Sequence, residues 1–321
     1  MSSQAVSTNK GLGVAAAAKK KGPDKLRFGG VHGSKATPYL FLLPYLVLFM
    51  IFLAVPAVFG IWISLHDWDL QLPFKPFVGL ANYTDLVDPE SINFETFWNG
   101  MQATGIFTVA SVPLLVIIPL GLAILLNRRF PGRTFFRAVF FAPYVLGVAV
   151  IGLMWRYLLD PQFGAVNGLL NLVGLPSVGW TTDQPWAWVS LVAVTIWWTI
   201  GFNAIIYLAG LSEISAEMYE AAALDGASKW KQFVYITLPA LRPVLVFVIT
   251  VTILASANMF GQALLITQEG PGDSTRTAII AITELGLKQF RLGQAAAMSY
   301  VLAAFLAIVA AINFYVLREK E

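Results

Sequence analysis

The chain has 321 residues, of which 57% are hydrophobic and only 12% are charged, and its mean hydropathy is +0.70. Soluble globular domains carry about twice this charged fraction, so the composition excludes that class and predicts an integral membrane protein. The chain contains no cysteine, which excludes a disulfide framework and a thiolate metal site. The net charge of +3 reflects how Lys and Arg are distributed around apolar stretches, and it does not indicate a nucleic-acid partner.

The first segment, residues 1–37, is polar and rich in Ala, Gly and Ser, with seven Lys or Arg and a single acidic residue, Asp24. Because such a segment has little apolar surface to bury, it is predicted to be a disordered basic tail. It lacks a short apolar region followed by a small-residue cleavage site, so it is not interpreted as a cleaved signal peptide. The lysines fit a cytoplasmic topogenic tail, while binding to anionic lipid or nucleic acid remains an alternative.

Six apolar stretches follow the tail, and each is long enough to cross a hydrocarbon core of about 30 Å. They cover residues 38–65, 100–126, 138–159, 186–211, 244–267 and 294–317. The pattern predicts an all-α integral membrane protein with six transmembrane helices. Residues 278–287, between the last two stretches, are predicted to form either an external helix or a re-entrant dip.

The charges define which side of the membrane each loop occupies. With six spans, 16 of the 21 Lys and Arg fall on the side that holds both termini, and the loop 66–99 on the other side is acidic. Cytoplasmic loops carry an excess of Lys and Arg, so both termini and the segment 212–243 are predicted to be cytoplasmic.

The predicted spans lack ionisable groups in their middle. All 18 Asp and Glu lie in the tail, in loops or at span ends, and His32 and His66 lie outside the spans. Proton relays and membrane-embedded active sites need such groups at membrane depth, and the chain also has no phosphate-binding loop. The chain is therefore predicted not to be an enzyme, and a partner must supply the energy for any uphill transport. A scaffold subunit without a passage is a further alternative.

The polar segment 212–243 is predicted to form a short helical hairpin. Ser215 and Ser228 can each cap the start of a helix, Gly226 can adopt the left-handed conformation that ends one, and Pro239 and Pro243 stop or kink the second helix. Small residues around the turn permit another protein surface to approach the backbone closely: Ala221, Ala222, Ala223, Gly226 and Ala227.

This hairpin resembles the EAA loop of binding-protein-dependent ABC importer permeases. The matching positions are Glu220, Ala221, Ala222, Asp225, Gly226, Ala227, Phe233, Ile236, Leu238, Pro239 and Pro243. The stretch 77–86 is similar to the first external loop of the sugar-type, maltose-transporter-like subfamily, and 258–262 is similar to the end of span five in sugar permeases. One departure is Glu269, where the family usually has Gly before Gly-Pro.

The resemblance implies the type I ABC importer permease fold over residues 38–321, in the cell membrane of a prokaryote. It implies a second permease subunit, two ATP-binding subunits that hold ATP and Mg, and an extracytoplasmic solute-binding protein as partners, with no cofactor bound by this chain. The hairpin is then the helix that couples to the ATPase by docking into it, and transport proceeds by alternating access. The implied coupling residues are Glu220, Ala221, Ala222, Asp225, Gly226, Ala227, Phe233, Leu238 and Pro239.

Polar side chains inside the fourth and fifth spans are candidates for a solute passage. They are Trp197, Trp198, Asn203, Ser256, Asn258 and Gln262, with Thr252 beside them. Amides donate and accept hydrogen bonds and an indole face can lie against C–H groups, so these neutral side chains suit a sugar or oligosaccharide. Two alternatives stay open: the side chains only hold helices together, or the solute is a glycerol phosphate ester or a polyol.

Overall fold

The computed structural model describes residues 37–317, and this part of the chain is helical. Its β pairing is limited to two isolated bridges, His66 with Phe77 and Asp69 with Arg291. The prediction of a disordered tail over residues 1–37 falls outside the described residues, except that Thr37 begins the first helix.

Within residues 37–317, α-helices and short π-helical segments follow one another along the chain. The first eight helices are α1 Thr37–Phe49, α2 Val55–Ser64, α3 Ala81–Thr84, α4 Ile92–Asn127, α5 Arg133–Val145, α6 Val148–Leu158, α7 Ala165–Leu172 and α8 Trp186–Glu213. The remaining helices are α9 Ala216–Leu224, α10 Lys229–Gln232, α11 Leu238–Ala240, α12 Arg242–Ala257, α13 Ala278–Thr283 and α14 Leu292–Leu317. The π-helical segments are Met50–Ala54, Phe233–Thr237, Ala263–Thr267 and Glu284–Lys288.

Four helical stretches of the described chain are long and apolar enough to cross a membrane. They are Tyr39–Ser64, Ile92–Asn127, Trp186–Glu213 and Leu292–Val316. Two bent pairs bring the number to six if each pair is one crossing: Arg133–Val145 with Val148–Leu158, and Lys229–Ala240 with Arg242–Ala257. The predicted all-α membrane fold is confirmed, and the count of six crossings stays a prediction.

The structure corrects the third and fifth predicted spans, because neither is one helix. The stretch 138–159 is interrupted between α5 and α6, where the helix axis bends by 96°. Gly147 has an extended backbone there, with φ −66° and ψ 151°, so the helical hydrogen bonds cannot continue through it. The stretch 244–267 is interrupted at Asn258, and helical structure resumes only at Gly261. Hydropathy measures the length of an apolar stretch and does not show where its helix breaks.

The described residues form two units, a short one that ends at Val55 and a larger one that starts at Pro56. In the short unit, α1 is apolar and its side chains from Tyr39 onward are exposed, with the Tyr45 and Phe49 rings stacked 6.1 Å apart. The larger unit has its core around α4, which packs against α8, α12 and α13. This core is the frame that positions the loops at both ends of the spans.

Side chains from neighbouring segments bond backbone groups where the fifth stretch breaks. The Thr277 hydroxyl donates to the Met259 carbonyl at 2.7 Å, and the Thr104 hydroxyl accepts from the Ala278 N–H at 3.0 Å. Both contacts are buried. Because an unbonded buried amide or carbonyl is costly, these threonines stabilise the irregular chain between α12 and α13.

Glycine permits a close approach between α8 and α5. A Cβ atom at Gly201 would lie 2.6 Å from the Phe141 Cα atom and closer still to the Phe140 carbonyl oxygen. Both neighbours are backbone atoms, which cannot move aside without displacing the helix. Small residues at such crossings are the usual means by which membrane helices pack tightly.

We expect Gly201→Ala to separate α8 from α5 and to destabilise the protein by about 1–3 kcal/mol, the usual cost of overpacking. The matched control is Gly105→Ala in α4, where an added Cβ meets no atom within 4 Å. The measurement is the midpoint of thermal unfolding of each purified variant in detergent. A lower midpoint for Gly201→Ala alone is the expected result, and equal midpoints would contradict the close packing.

Candidate functional site

The predicted hairpin is present, and serines begin both of its helices. The Ser215 hydroxyl accepts a hydrogen bond from the Glu217 N–H at 3.2 Å, at the start of α9. The Ser228 hydroxyl accepts from the Lys231 N–H at 3.3 Å, at the start of α10. Each bond pairs one of the amide groups that the first turn of a helix leaves without a partner.

The turn between the two helices is a Schellman motif centred on Gly226. This glycine has φ +77°, in the left-handed region. Its N–H donates to the Ala223 carbonyl at 3.1 Å, and the Ala227 N–H donates to the Ala222 carbonyl at 2.8 Å. These are the two bonds that define the motif, and they require the left-handed residue that glycine supplies without a steric cost.

Four polar side chains that the sequence analysis did not select hold the hairpin together. The buried Gln232 amide donates to the Tyr219 and Ala227 carbonyls at 3.5 and 3.4 Å, and its oxygen accepts from the Lys229 ammonium at 3.1 Å. The Tyr219 hydroxyl is bonded to the Thr237 hydroxyl at 2.9 Å. The sequence offered one signal for this: Gln232 directly precedes the apolar pair Phe233 and Val234. A glutamine buried beside apolar residues needs hydrogen-bond partners nearby.

The outer surface of the hairpin combines exposed apolar side chains with exposed motif residues. Leu224 is 90% exposed, Tyr235 is 75% exposed and Trp230 is 70% exposed. The motif residues Glu220, Ala221, Asp225, Gly226 and Pro239 are also exposed, whereas Ala222, Ala227, Phe233 and Leu238 are half-buried. Several large apolar side chains exposed on one polar segment are typical of a surface that binds another protein.

The base of the hairpin meets the ends of two spans. A cavity of about 300 Å³ lies there, lined by Asn127 and Arg128 at the end of α4, Leu211 in α8, and Tyr219 and Lys229 in the hairpin. Phe233 packs against the buried cluster that contains residues of α4, α8 and α12. Phe233 therefore joins the hairpin to the core of the larger unit.

Two of the predicted passage residues are buried in contacts between helices. Asn203 is 7% exposed, and its amide donates to the Leu115 carbonyl at 3.0 Å. This carbonyl lacks its helical donor because the residue four positions later is Pro119, which has no N–H. Ser256 is buried and accepts from the Ser111 hydroxyl at 3.2 Å. These bonds give both residues a packing role, and their part in a passage remains a prediction.

The other four passage residues have more accessible settings. The Trp198 indole donates to the Leu146 carbonyl at 3.1 Å, where α5 ends. The Trp197 ring stands edge-on to the Trp155 ring, with centroids 5.4 Å apart. Asn258 is exposed and bonds the Leu254 carbonyl of its own helix at 2.8 Å, and Gln262 is half-buried. No hydrogen bond or ring contact within residues 37–317 joins any two of the six.

A second cavity, of about 690 Å³, lies at the opposite end of α4 and α8 from the hairpin. Its polar lining consists of Glu95, Thr96, Asn99, Gln102, Gln184, Asp273, Ser274 and Arg276. The Gln184 amide donates to the Ser274 hydroxyl at 2.6 Å, which joins the start of α8 to the loop 268–277. The sequence signal for this cavity was the spacing of Glu95, Asn99 and Gln102, which lie on one face at the start of α4.

Arg276 lies in a network of charges beside this cavity. It contacts Glu269 at 3.4 Å and also pairs with Glu284, which bonds Lys288 in turn. Burial raises the pKa of Glu269. Burial also opposes ionisation of Glu284, but the Lys288 hydrogen bond and the charge of Arg276 outweigh it, so the pKa of Glu284 is lowered. Glu269, the residue that departs from the family pattern, is thus an ion-pair partner of Arg276.

No group of three or more His, Asp or Glu that could hold a metal occurs among the described residues.

Residues 104–319 match the model of the family described as binding-protein-dependent transport system inner membrane component. The match covers more than half of the chain and includes the hairpin. The chain belongs to this family. Its likeness to binding-protein-dependent permeases, first inferred from the hairpin motif, is therefore confirmed.

Relatives in this inner membrane component family are similar over nearly their whole length. A trehalose/maltose transport system permease protein of Thermococcus litoralis is 32% identical over 273 residues, which is 84% of this chain and 91% of the relative. An arabinooligosaccharides transport system permease protein of Bacillus subtilis is 31% identical over 304 residues, covering 94% and 93%. These relatives are transport permease subunits, and the family is a component of the inner membrane.

A solved structure shares the fold of this family member. A chain in the crystal structure of a bacterial ABC transporter involved in the import of alginate aligns with a TM-score of 0.76 and 24% identity. The alignment covers 88% of this chain and 94% of the other. The described helices therefore adopt the ABC importer permease fold.

We expect Asn203→Leu to lower the thermal stability of the protein, because it leaves the buried Leu115 carbonyl without a donor at a cost of about 1–3 kcal/mol. Gln262→Met is the matched control, since Gln262 is half-buried in the same region and forms no side-chain hydrogen bond within residues 37–317. The measurement is the unfolding midpoint of each purified variant in detergent. If Asn203→Leu leaves the midpoint unchanged, the amide does not stabilise the proline site in α4.

Proposed function

We propose that the chain is one permease subunit of an ATP-driven importer that moves a sugar or oligosaccharide across the cell membrane by alternating access. The observation that carries the proposal is the hairpin 215–240, a capped and largely exposed structure whose Phe233 packs against residues of α4, α8 and α12. Relatives named as permeases for trehalose/maltose and for arabinooligosaccharides support the substrate class.

The proposed topology has six crossings, with α5 and α6 counted as one crossing and the fifth crossing starting at α12, and with both termini and the hairpin in the cytoplasm. The basic loop 128–137 after α4 supports this orientation, as does the excess of Lys and Arg on the same side throughout the chain. The hairpin then faces the compartment in which ATP is available.

Coupling is proposed to occur when an ATP-binding subunit receives the hairpin. The exposed Leu224, Trp230 and Tyr235 side chains supply the apolar and aromatic anchors that protein interfaces favour. Glu220, Ala221, Ala222, Asp225, Gly226 and Ala227 form the turn and its approach, while Phe233, Leu238 and Pro239 join it to the spans. ATP and Mg belong to the partner subunit, and closure of two such subunits would move the hairpin and rock the attached spans.

A second permease subunit and an extracytoplasmic solute-binding protein complete the proposed assembly. Support for the binding protein comes from a structural relative described as an alginate ABC transporter in complex with alginate pentasaccharide-bound periplasmic protein. In the passage, Trp197, Trp198, Asn258 and Gln262 offer neutral polar groups for hydroxyl-rich solutes, and Asn203 and Ser256 hold the helices around them.

We expect substitutions at Gly226 to uncouple ATP hydrolysis from uptake, with the strongest effect for Val, a weaker one for Ala and the weakest for Asn. A non-glycine residue in the left-handed region costs about 1–2 kcal/mol, and asparagine tolerates that region best. An added Cβ at Gly226 meets no atom within 4 Å, so the backbone angle alone causes the effect. The measurement is the ratio of solute uptake to ATP hydrolysis in proteoliposomes that contain the full transporter.

Gly226→Asn serves as the matched control because it adds a side chain of similar size to valine without the β-branching. The amount of each variant in the membrane is measured in parallel. If Gly226→Val couples as well as the unaltered protein, the turn is not required for transmission and the coupling role is contradicted.

A further inference from the structure

We propose that the 690 Å³ cavity at the start of α4 and α8 is an extracytoplasmic saccharide site that admits neutral solutes and disfavours anionic ones. The inference rests on the proposed function for the side of the membrane, because α4 begins opposite the basic loop 128–137. It goes beyond that function by assigning a new site and by restricting the substrate class to uncharged saccharides.

The size and lining of the cavity suit a carbohydrate. A volume of about 690 Å³ lies within the range of small-molecule sites, roughly 300–1,000 Å³. Three amide side chains line it, those of Asn99, Gln102 and Gln184, and each can donate to and accept from a hydroxyl group. The half-buried Trp188 ring lines the same cavity and offers an apolar face to sugar C–H groups.

The charges of the lining determine its selectivity. Glu95 and Asp273 are exposed and form no ion pair within residues 37–317. Arg276 is the one cation among the residues that line the cavity, and two carboxylates, those of Glu269 and Glu284, already pair with it. The cavity therefore carries a net negative charge, which a concave surface concentrates.

A negative cavity repels uronates, sulfates and phosphate esters but leaves the affinity for neutral hydroxyl groups unaffected. Glu95 and Asp273 are the specificity-determining residues of this site. Their effect weakens as the salt concentration rises, because ions screen charges on an exposed surface over about 8 Å at physiological ionic strength.

The experiment uses cysteine reactivity, since the chain contains no native cysteine. Thr96→Cys places a thiol in the cavity lining, and Leu80→Cys places one on an exposed loop position outside it. Washed right-side-out membrane vesicles that carry the transporter are treated with a cationic and an anionic methanethiosulfonate, neither of which crosses the membrane. We expect the ratio of cationic to anionic reaction rates to be about tenfold higher for Thr96→Cys than for Leu80→Cys at low salt.

Charge-removal variants assign the effect to named residues. Combining Glu95→Gln with Asp273→Asn in the Thr96→Cys background should lower the rate ratio to that of Leu80→Cys. Glu90→Gln removes an acid of the same segment that does not line the cavity, and it should leave the ratio unchanged. Equal ratios at the two thiols, or a ratio unaffected by the double substitution, would overturn the selectivity.

Saccharides test occupancy of the same cavity. Millimolar maltohexaose should slow modification of Thr96→Cys, and a uronate hexasaccharide should slow it several-fold less. Equal slowing by both saccharides, or by neither, would overturn the site. Reaction of Thr96→Cys only in inside-out vesicles would instead contradict the proposed topology, so a failure of the proposed function is distinguished from a failure of the site.

Discussion

The fold depends on one constraint: inside a membrane, each backbone N–H and carbonyl group must find its partner within the protein. This chain interrupts its helices several times and supplies side-chain partners at the interruptions. Asn203 bonds the carbonyl that Pro119 leaves free, Trp198 bonds the carbonyl at the end of α5, and Thr277 bonds the carbonyl just beyond α12. These three polar side chains therefore stabilise irregular backbone.

The hairpin meets the same requirement although most of its surface is exposed. Its helix starts are capped by Ser215 and Ser228, its turn is closed by the two Schellman bonds at Gly226, and its interior amide, Gln232, is bonded on both ends. A segment with its polar groups satisfied locally can present apolar side chains outward without rearranging. Such pre-organisation lowers the ordering cost that binding another protein would otherwise carry.

The sequence predicted the features that depend on local chemistry and missed those that depend on the neighbours in space. The hairpin, its serine caps and its left-handed glycine follow from residue types at fixed spacing, and the apolar spans follow from composition. The break at Gly147 was missed because an apolar run has the same hydropathy whether it is straight or bent. The sequence left open that Asn203 only holds helices together, but its partner could not be predicted, because Leu115 lies 88 positions away. The polar cavity is lined by three segments that are distant in the sequence, and only the spacing of its residues on α4 could have been recognised from the sequence.

Photo-crosslinking from the tip of the hairpin tests the central claim most directly. A benzophenone maleimide attached to Leu224→Cys, at the most exposed large apolar side chain of the hairpin, is irradiated in membranes that contain the complete transporter. The control position is Leu172→Cys, which is 83% exposed at the end of α7, in the segment between α6 and α8. The account predicts an adduct between Leu224→Cys and an ATP-binding subunit, with a yield that changes when ATP is added, and no such adduct from Leu172→Cys. Labelling of Leu224→Cys by a membrane-impermeant reagent from outside the cell, with no ATPase adduct, would contradict it.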